Sequence, residues 1–301
     1  MLPAVPTNTA GRELDVWLAQ TDQLLSGVRV IAERHGARGP LRRMPEGSMP
    51  VFAIGDDAVL KLFAAPHRRW YEAERAFLAR IHGILGVPTP QVLAAGEEDE
   101  GWAYVLMSRL QGTPLDRVLP GLPRPAQEGV MDALGGLVCR LHALHTEGLP
   151  REDWEAYVER QAVGCVEIQR KRGLDEAWLA QLPSFLARHR PRPPHRLAIV
   201  HSELGPGHVL YEHGAITGVI DFADACVGDP DLELPAIGIF IARGDRTLYR
   251  RFLATLGRDV APERALVYTL LHRYANLAWY LREVPPRDAR TLEQLAHAWF
   301  G

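Results

Sequence analysis

The chain has 301 residues, of which 47% are hydrophobic and 24% are charged, and its formal net charge at pH 7 is -3. These fractions are average for globular proteins, so the composition excludes a disordered or fibrous chain. No block of basic residues stands out, and a nucleic-acid partner is therefore not expected. A chain of this length exceeds the usual single hydrophobic core, which favours two lobes with an active site between them.

Cysteine usage and the apolar runs indicate where the protein works. The chain has three cysteines, Cys139, Cys165 and Cys226. This odd number and the lack of a C-x-x-C pair argue against a zinc site or a disulfide framework. This usage fits a reducing compartment. The amino terminus lacks a basic start followed by an apolar run, and no stretch of about 18 uncharged apolar residues occurs. We therefore expect a cytoplasmic protein with no membrane partner.

The first part of the chain alternates between helical and strand-like patterns. Apolar residues at helical spacing predict an introductory helix over about 12–35 and a main helix over 68–85. Short apolar runs broken by turn residues predict antiparallel strands. These strands lie within 41–63 and over 91–95 and 102–107. Residues 1–110 are therefore predicted to form an N-terminal, nucleotide-binding lobe of antiparallel sheet with one main helix.

Helical spacing dominates the remainder of the chain, residues 111–301. A strand-rich island near 197–222 interrupts it. The helices are predicted over about 125–147, 154–188 and 245 to the end. The fold class is therefore predicted to be α+β, with a mostly helical C-terminal lobe that carries the catalytic loop and the substrate site.

The segment His201-Ser-Glu-Leu-Gly-Pro-Gly-His208 combines an acid and a metal-ligand candidate at a fixed spacing. Protein kinases present H-R-D-L-x-x-x-N followed by a D-F-G aspartate, because one carboxylate orients the attacking hydroxyl while the amide and second carboxylate hold magnesium. Glu203 occupies the acid position, and His208 lies five residues later. Asp221 ends an apolar strand pattern. The spacing predicts a phosphoryl-transfer centre, with Glu203 as catalytic acid and His208 and Asp221 as Mg²⁺ ligands.

A lysine in the predicted sheet provides an independent indication. Of the 34 lysine and arginine residues, only Lys61 and Lys171 are lysine. Lys61 ends the run Ala58-Val-Leu-Lys61, which fits the kinase strand motif V-A-I-K, whose lysine contacts the α- and β-phosphates. A compact ammonium in a chain that otherwise uses arginine favours this role over that of a surface lysine.

The kinase motif also requires a glutamate partner on the next helix. Glu74 is the first choice and Glu72 the reserve. Leu78 and Ile81 lie four and seven residues after Glu74, so they mark its side of the helix as the buried one. We therefore expect a Lys61–Glu74 ion pair.

Two further segments are candidates for nucleotide contacts. The loop over residues 45–50 contains Ser48 and could cover the phosphates with backbone N–H groups, although an ordinary hairpin loop explains it nearly as well. The segment after the last predicted strand of the first lobe is placed where a hinge would contact a purine base. Its candidates, chosen by position alone, are Met107, Ser108 and Leu110.

Together these residues resemble the aminoglycoside phosphotransferase superfamily, whose signature is H-G-D-L-H-P-G-N followed by an I-D-F or I-D-W strand. The likeness covers most of the chain, from Lys61 to Asp229-Pro230. It implies a bilobal, protein-kinase-like fold that transfers the γ-phosphate of ATP or GTP to a substrate hydroxyl. The implied partners are a nucleoside triphosphate and a small hydroxylated substrate, and the implied role is antibiotic resistance through an aminoglycoside-like substrate.

Three residues depart from the family signature. His208 replaces asparagine, as it does in the aminoglycoside 2''-phosphotransferases and the macrolide 2'-phosphotransferases, and imidazole is a less natural ligand for Mg²⁺ than oxygen. Glu203 replaces aspartate and extends the carboxylate by roughly 1.5 Å. Ser202 replaces glycine, and we expect it to adopt a negative φ. Two alternative functions therefore stay open: a macrolide 2'-phosphotransferase, and a nucleotide-binding pseudokinase weakened by Glu203.

Two sets of residues are candidates for the substrate site. A polycationic aminoglycoside needs several carboxylates, whereas a macrolide needs an apolar, aromatic-lined groove. The acidic candidates are Asp224, Asp229, Asp231 and Glu233, some of which are expected to be structural because Asp229-Pro is a turn signal. The second set falls at helical spacing, so these residues are expected to share one helical face, which lines the substrate site or packs into the core of the lobe. Its members are Tyr268, His272, Ala275 and Trp279.

Overall fold

The structure, a computed structural model, describes residues 1–6, 12–45, 47–191, 194, 196–286 and 288–301. Packing divides the chain into two compact units. The first consists of Met1–Gly112 and Thr217–Asp224, and the second of Thr113–Ile216 and Ala225–Gly301. The sequence-based boundary after residue 110 assigned every later residue to one lobe, so it did not anticipate that Thr217–Asp224 would pack with the first unit.

The first unit is built on an antiparallel sheet. Its strands are β1 (Leu41–Arg43), β2 (Val51–Ile54), β3 (Ala58–Ala64), β4 (Val92–Glu98) and β5 (Trp102–Ser108), and its helices are α1 (Arg12–Leu18), α2 (Thr21–Arg34) and α3 (Arg68–Ile81). The strand order is β1-β2-β3-β5-β4, and all neighbours run antiparallel. Long β3 and β5 therefore form the centre of the sheet, with Lys61 opposite Val105.

Two helices, rather than one, precede the sheet. The sequence predicted a continuous helix over about 12–35, but α1 ends at Leu18 and α2 begins at Thr21. The buried leucines explain the break. Leu14 and Leu18 lie about one turn apart, whereas Leu24 follows Leu18 by six residues and would lie about 240° around a continuous helix. With the break, all three leucines enter one core together with the sheet.

The alternation of β3 separates its side chains between two faces. Leu60 and Leu62 belong to the core that α1 and α2 cover. Lys61 and Phe63 point to the opposite face, where the Phe63 ring contacts Tyr71 of α3 at a centroid distance of 5.9 Å. Because α3 packs against β3, β4 and β5, its inner face meets the lysine side of the sheet.

The second unit is mainly helical. Its helices are α4 (Leu115–Val118), α5 (Arg124–Ala143), α6 (Trp154–Lys171), α7 (Glu176–Leu179), α8 (Leu182–His189), α9 (Arg246–Leu256), α10 (Pro262–Leu271), α11 (Leu277–Glu283) and α12 (Leu292–Phe300). Its strands are β6 (Thr113–Pro114), β7 (Ala198–Val200), β8 (Val209–Glu212) and β10 (Cys226–Gly228), while β9 (Ala215–Val219) crosses the boundary along the chain. A π-helical segment spans Ala236–Ile241.

Small residues let the helices of this unit approach closely. In α5, a Cβ on Gly135 would lie 2.7 Å from Thr255 of α9, so glycine is required for this contact. The short strands β7 and β10 pair antiparallel, with Ile199 opposite Val227, and both support the loops that follow them. Antiparallel sheet and helices together confirm the predicted α+β class. No helix in the part of the chain that the structure describes has the length and apolarity that crossing a membrane requires.

Candidate active site

Lys61 lies between two carboxylates of the first unit. Its side chain is buried, and Nζ donates hydrogen bonds to Glu74 Oε2 at 2.5 Å and to Asp221 Oδ1 at 2.6 Å. Burial alone would lower the pKa of the ammonium, but the charges of Asp221 and Glu74 outweigh burial and raise it above its ordinary value. Lys61 is therefore a permanently charged group held in one place by its neighbours.

The two candidate partners of Lys61 differ in burial. Glu74 is 1% exposed and also accepts a hydrogen bond from the Phe222 N–H at 3.2 Å, so its carboxylate connects β3 to the segment after β9. Burial raises the pKa of Glu74, and the charge of Lys61 opposes that rise. The reserve candidate, Glu72, is exposed and pairs with Arg68 one turn earlier at 3.2 Å. Glu74, the first choice, therefore forms the expected ion pair with Lys61, and Glu72, the reserve, does not.

Asp221 is fixed by the segment on either side of it. Before it, the Thr217 hydroxyl donates to the Gln111 carbonyl oxygen at 2.8 Å, and the Val219 N–H donates to Pro88 at 3.0 Å. After it, Trp70 donates its indole N–H to Asp224 at 2.9 Å. These contacts explain why this segment packs with the first unit. The Asp221 side chain is 37% exposed, so its carboxylate meets both Lys61 and solvent.

The segment with Glu203 and His208 folds into a tight loop of the second unit. The Gly205 N–H donates to the Glu203 carbonyl oxygen at 2.6 Å, and the His208 N–H donates to the Gly205 carbonyl oxygen at 3.0 Å. His208 Nδ1 lies 2.7 Å from the same Glu203 carbonyl oxygen. A carbonyl only accepts, so Nδ1 carries the proton, and the lone pair of the neutral ring is on Nε2. This hydrogen bond fixes the orientation of the imidazole ring.

The backbone of this loop departs from the sequence-based expectation at Ser202. We expected a negative φ, but Ser202 has a φ of +66° in the left-handed region, so that expectation was wrong. Glycine, the family residue at this position, adopts this conformation without strain, whereas a residue with a Cβ does not. The buried Glu233 keeps this strained backbone in place, because its carboxylate accepts a hydrogen bond from the His201 N–H.

Glu233 is a functional candidate whose role the sequence did not reveal. It was a candidate for binding a cationic substrate, but it is fully buried and accepts a hydrogen bond from the backbone of His201 instead. Burial raises the pKa of Glu233 to about 8, although hydrogen bonds from His201 and Ser202 oppose the rise. Leu232 and Leu234 on either side of Glu233 are buried as well, but the sequence of these three residues does not show that Glu233 is buried with them.

A family model described as the phosphotransferase enzyme family matches residues 41–268. The chain belongs to this family. The matched range includes Lys61, Glu74, Glu203, His208 and Asp221, and the match confirms the family that the motif resemblance implied.

Two curated relatives of this phosphotransferase family member are similar to part of it. Viomycin phosphotransferase of Streptomyces vinaceus is 29% identical over 179 residues, which represent 54% of this chain and 59% of that protein. Hygromycin-B 4-O-kinase of Escherichia coli is 25% identical over 195 residues, with 54% of this chain and 50% of that protein covered. The chain thus covers between half and three fifths of the length of these relatives.

A solved structure of the family resembles nearly the whole chain. The GDP and kanamycin complex of the aminoglycoside phosphotransferase APH(2")-IIia matches with a TM-score of 0.72 at 19% identity, and the match covers 91% of this chain and 96% of that one. At this identity the likeness establishes the fold. The fold is therefore the α+β fold of the aminoglycoside phosphotransferases.

The remaining acidic candidates of this family member are engaged with other residues. Asp229 and Asp231 are fully buried, and Arg264 pairs with both, at 2.8 Å from Asp229 Oδ2. Tyr268 donates its hydroxyl hydrogen to the same Asp229 oxygen at 2.5 Å. Asp224 accepts from Trp70. The expectation that some of these acids are structural therefore holds for Asp229 and Asp231.

The sequence predicted that Tyr268, His272, Ala275 and Trp279 share one helical face. This prediction was wrong, because α10 ends at Leu271 and α11 begins only at Leu277, with His272 in an extended conformation between them. Tyr268 and Ala275 are buried in the core. His272 and Trp279 instead line a pocket of about 800 Å³ in the second unit, together with Glu203 and His208.

The predicted nucleotide contacts in the first unit lie in three different settings. Ser48 is exposed in the connection between β1 and β2, and Glu46 of the same loop lies outside the described residues. Met107 is buried near the end of β5, and Leu110 is half-buried after it. Ser108 is already engaged, because its N–H donates to the Gln91 carbonyl oxygen at 2.9 Å and its hydroxyl oxygen accepts the Gln91 N–H at 2.8 Å.

Proposed function

We propose that the protein is a small-molecule kinase that transfers the γ-phosphoryl group of ATP or GTP to a hydroxyl of an antibiotic-like acceptor. The observation that carries this proposal is the Lys61 ammonium bonded to both Glu74 and Asp221, in a chain of the phosphotransferase family. The names of the two curated relatives support an antibiotic-like acceptor. An aminoglycoside-like acceptor is the class that the resemblance implied.

The first lobe, about residues 1–110, would bind the nucleotide. Lys61 would contact the α- and β-phosphates, and Glu74 would keep its ammonium in position. Ser48 would lie over the phosphates, and the hinge candidates Met107, Ser108 and Leu110 would contact the base. The GDP bound in the similar solved structure supports a nucleotide in this role.

His208 and Asp221 would hold Mg²⁺, which when bound neutralises charge on the β- and γ-phosphates. Asp221 fits this role because its carboxylate is partly exposed, and Mg²⁺ uses one or two protein carboxylates together with phosphate oxygens and water. His208 fits through Nε2, whose lone pair follows from the Nδ1 hydrogen bond. Within the described residues no group of three or more metal-binding side chains occurs.

Residues 111–301 would supply the acceptor site and the catalytic carboxylate. The acceptor hydroxyl oxygen bonds to the γ-phosphorus while the bond to the β-phosphate oxygen breaks, and the nucleoside diphosphate leaves with that electron pair. The Glu203 carboxylate orients the hydroxyl and accepts its proton, which then passes to water. The longer glutamate serves if the strained loop at Ser202 sets its backbone back from the acceptor.

The test is nucleoside diphosphate release by the purified protein with Mg²⁺, ATP or GTP, and a panel of hydroxylated antibiotics. Glu203→Gln should lower kcat by at least about 100-fold and leave the nucleotide-dependent rise in melting temperature unchanged. Lys61→Met should remove that rise. Absence of both turnover and any nucleotide effect in the wild type would contradict the proposal.

A second candidate function follows from Glu203 itself. If the extra methylene abolishes transfer, the protein is a nucleotide-binding pseudokinase, and nucleotide would raise the melting temperature without turnover. Glu203→Asp should then create activity that the wild type lacks. Wild-type turnover excludes this candidate, and in that case we expect Glu203→Asp to lower kcat about 10- to 100-fold, because the carboxylate no longer reaches the hydroxyl.

A further inference from the structure

The pocket beside Glu203 has the size of a site for a large small molecule. Its volume is about 800 Å³, within the range of ligand pockets, and its lining comes from Arg172, from the loop that contains Glu203, and from two segments near residues 235–243 and 272–283. All of these segments belong to the second unit. The catalytic acid and the pocket wall are therefore parts of one packed body.

One side of this pocket is aromatic. We call Phe240, Trp279 and Tyr280 the aromatic wall. Their rings contact one another at centroid distances of 5.4 to 5.6 Å, so they form a continuous packed surface. Trp279 is 38% exposed, although the exposure of an apolar tryptophan face to water is unfavourable. Such a wall favours an acceptor with an extended apolar or ring face.

The charged groups of the pocket nearly cancel. Among its described lining residues the cationic side chains are Arg172 and Arg243, and the carboxylates are Glu203 and Glu283. Arg172 donates to the Tyr274 carbonyl oxygen at 2.5 Å, and Arg243 donates to the Glu283 carbonyl oxygen at 2.8 Å. Because a carbonyl carries no net charge, these bonds fix both guanidinium groups without neutralising them. A polycation would meet two fixed positive charges beside two carboxylates, so the pocket offers it no excess of negative charge.

The acidic residues that could have balanced a polycation do not line this pocket. Asp229 and Asp231 are buried against Arg264, and Glu233 is bonded to the His201 backbone. Among the described lining residues only Glu203 and Glu283 could then pair with the ammonium groups of a polycation, and any further ammonium group would have to lose water at the aromatic wall without a carboxylate partner, which is unfavourable.

We infer that the acceptor of this pocket is a large hydroxylated molecule of low net charge with an extended apolar face, rather than a polycationic aminoglycoside. The inference rests on the proposed function, because it assigns the pocket to the phosphate acceptor. The apolar face packs on the aromatic wall, and one hydroxyl of the acceptor lies at Glu203. Arg172 and Arg243 act against acceptors that carry several amines.

Two pools of acceptors test this inference with the wild-type protein, Mg²⁺ and nucleotide. The first pool contains weakly charged molecules, namely erythromycin, lincomycin and chloramphenicol, and the second contains kanamycin, gentamicin and hygromycin B. We expect acceptor-dependent diphosphate release with a member of the first pool and none with the second. Turnover of a polycation with the lower KM, or no turnover with the first pool, overturns the inference.

Variants of the pocket give a second readout. Trp279→Ala should raise the acceptor KM by about 10-fold or more, whereas Trp178→Ala, which removes a half-buried tryptophan of α7 outside the pocket, should leave it unchanged. Equal KM values for the wild type and Trp279→Ala overturn the role of the aromatic wall. Turnover confined to polycations contradicts this inference alone, whereas nucleotide binding without turnover of any acceptor contradicts the proposed function as well.

Discussion

At the scale of single residues, Ser202 combines a left-handed backbone with a buried side chain. A residue with a Cβ is strained at this φ, whereas glycine is not, but glycine also adds entropy to the unfolded chain. We expect Ser202→Gly to be more stable than Ser202→Ala by roughly 0.5–1 kcal/mol, because both lack the hydroxyl and only alanine keeps the strain. Urea unfolding of the two variants measures this difference. An alanine variant that is as stable as the glycine variant would contradict the strain.

Glu233, which bonds to the loop that contains Glu203, should make the stability of the protein depend on pH. Burial raises its folded-state pKa to about 8, whereas the unfolded chain has the ordinary value of about 4.3. Between these two values the folded protein holds a proton that the unfolded chain has lost. The free energy of unfolding therefore falls as pH rises through this window, by at most about 1.4 kcal/mol per pH unit, and the fall ends above about pH 8.

Glu233→Gln is the matched control for this titration, because glutamine keeps an accepting oxygen and cannot ionise. We expect its free energy of unfolding to lack the wild-type decline between about pH 5 and pH 8. Urea unfolding at several pH values compares the two proteins. Parallel profiles for wild type and variant would show that Glu233 is not the group responsible.

At the scale of elements, the Lys61–Glu74 pair connects β3 to α3. Glu74→Gln leaves a buried ammonium with Asp221 as its remaining carboxylate, so we expect a loss of about 2–3 kcal/mol, less than for an isolated buried pair. Glu72→Gln, on the same helix, removes only an exposed pair with Arg68 and should change stability by less than about 0.5 kcal/mol. Denaturant unfolding measures both. Equal effects of the two substitutions would contradict the buried coupling.

The sequence predicted elements well where local pattern decides them. The strand with Lys61 and the helix with Glu74 are neighbours in the chain, so alternation on one and helical spacing on the other were enough to pair them. The break between α1 and α2 was missed, because helical spacing indicates a helix but does not show that two apolar stripes must meet one core. The break after Leu271 was missed for the same reason, and it separates Trp279 from Tyr268.

The sequence indicates the residues of the candidate site, but it does not show their surroundings. The spacing from Glu203 to His208 and Asp221 follows from chain geometry, so it is visible in the sequence. The burial of Asp229, Asp231 and Glu233 is not visible there, because a run of acids looks the same whether it faces a substrate or a set of buried arginine and backbone partners. Tertiary packing decides between these two cases, because it places Arg264 beside Asp229 and the His201 N–H beside Glu233.

At the scale of the whole molecule, the two proposed ligands should act mainly on different units. Of the residues assigned to the nucleotide and its Mg²⁺, Lys61 and Asp221 lie in the first unit, because Thr217–Asp224 packs there, whereas His208 lies in the second. Glu203, the proposed catalytic residue, and the aromatic wall lie in the second unit. Each ligand should therefore leave its own pattern of protection from amide hydrogen exchange.

Hydrogen exchange of the full chain tests this division. Mg²⁺ with nucleotide should slow exchange in β3 and around Asp221, and an acceptor should slow it near residues 235–243 and 272–283. At a ligand concentration about 100 times Kd, openings that release the ligand become about 100-fold rarer, which is easily measured. Lys61→Met should remove the first pattern and keep the second, and Trp279→Ala should do the reverse. If an acceptor protected the second unit equally in wild type and Trp279→Ala, the aromatic wall would not be its binding surface.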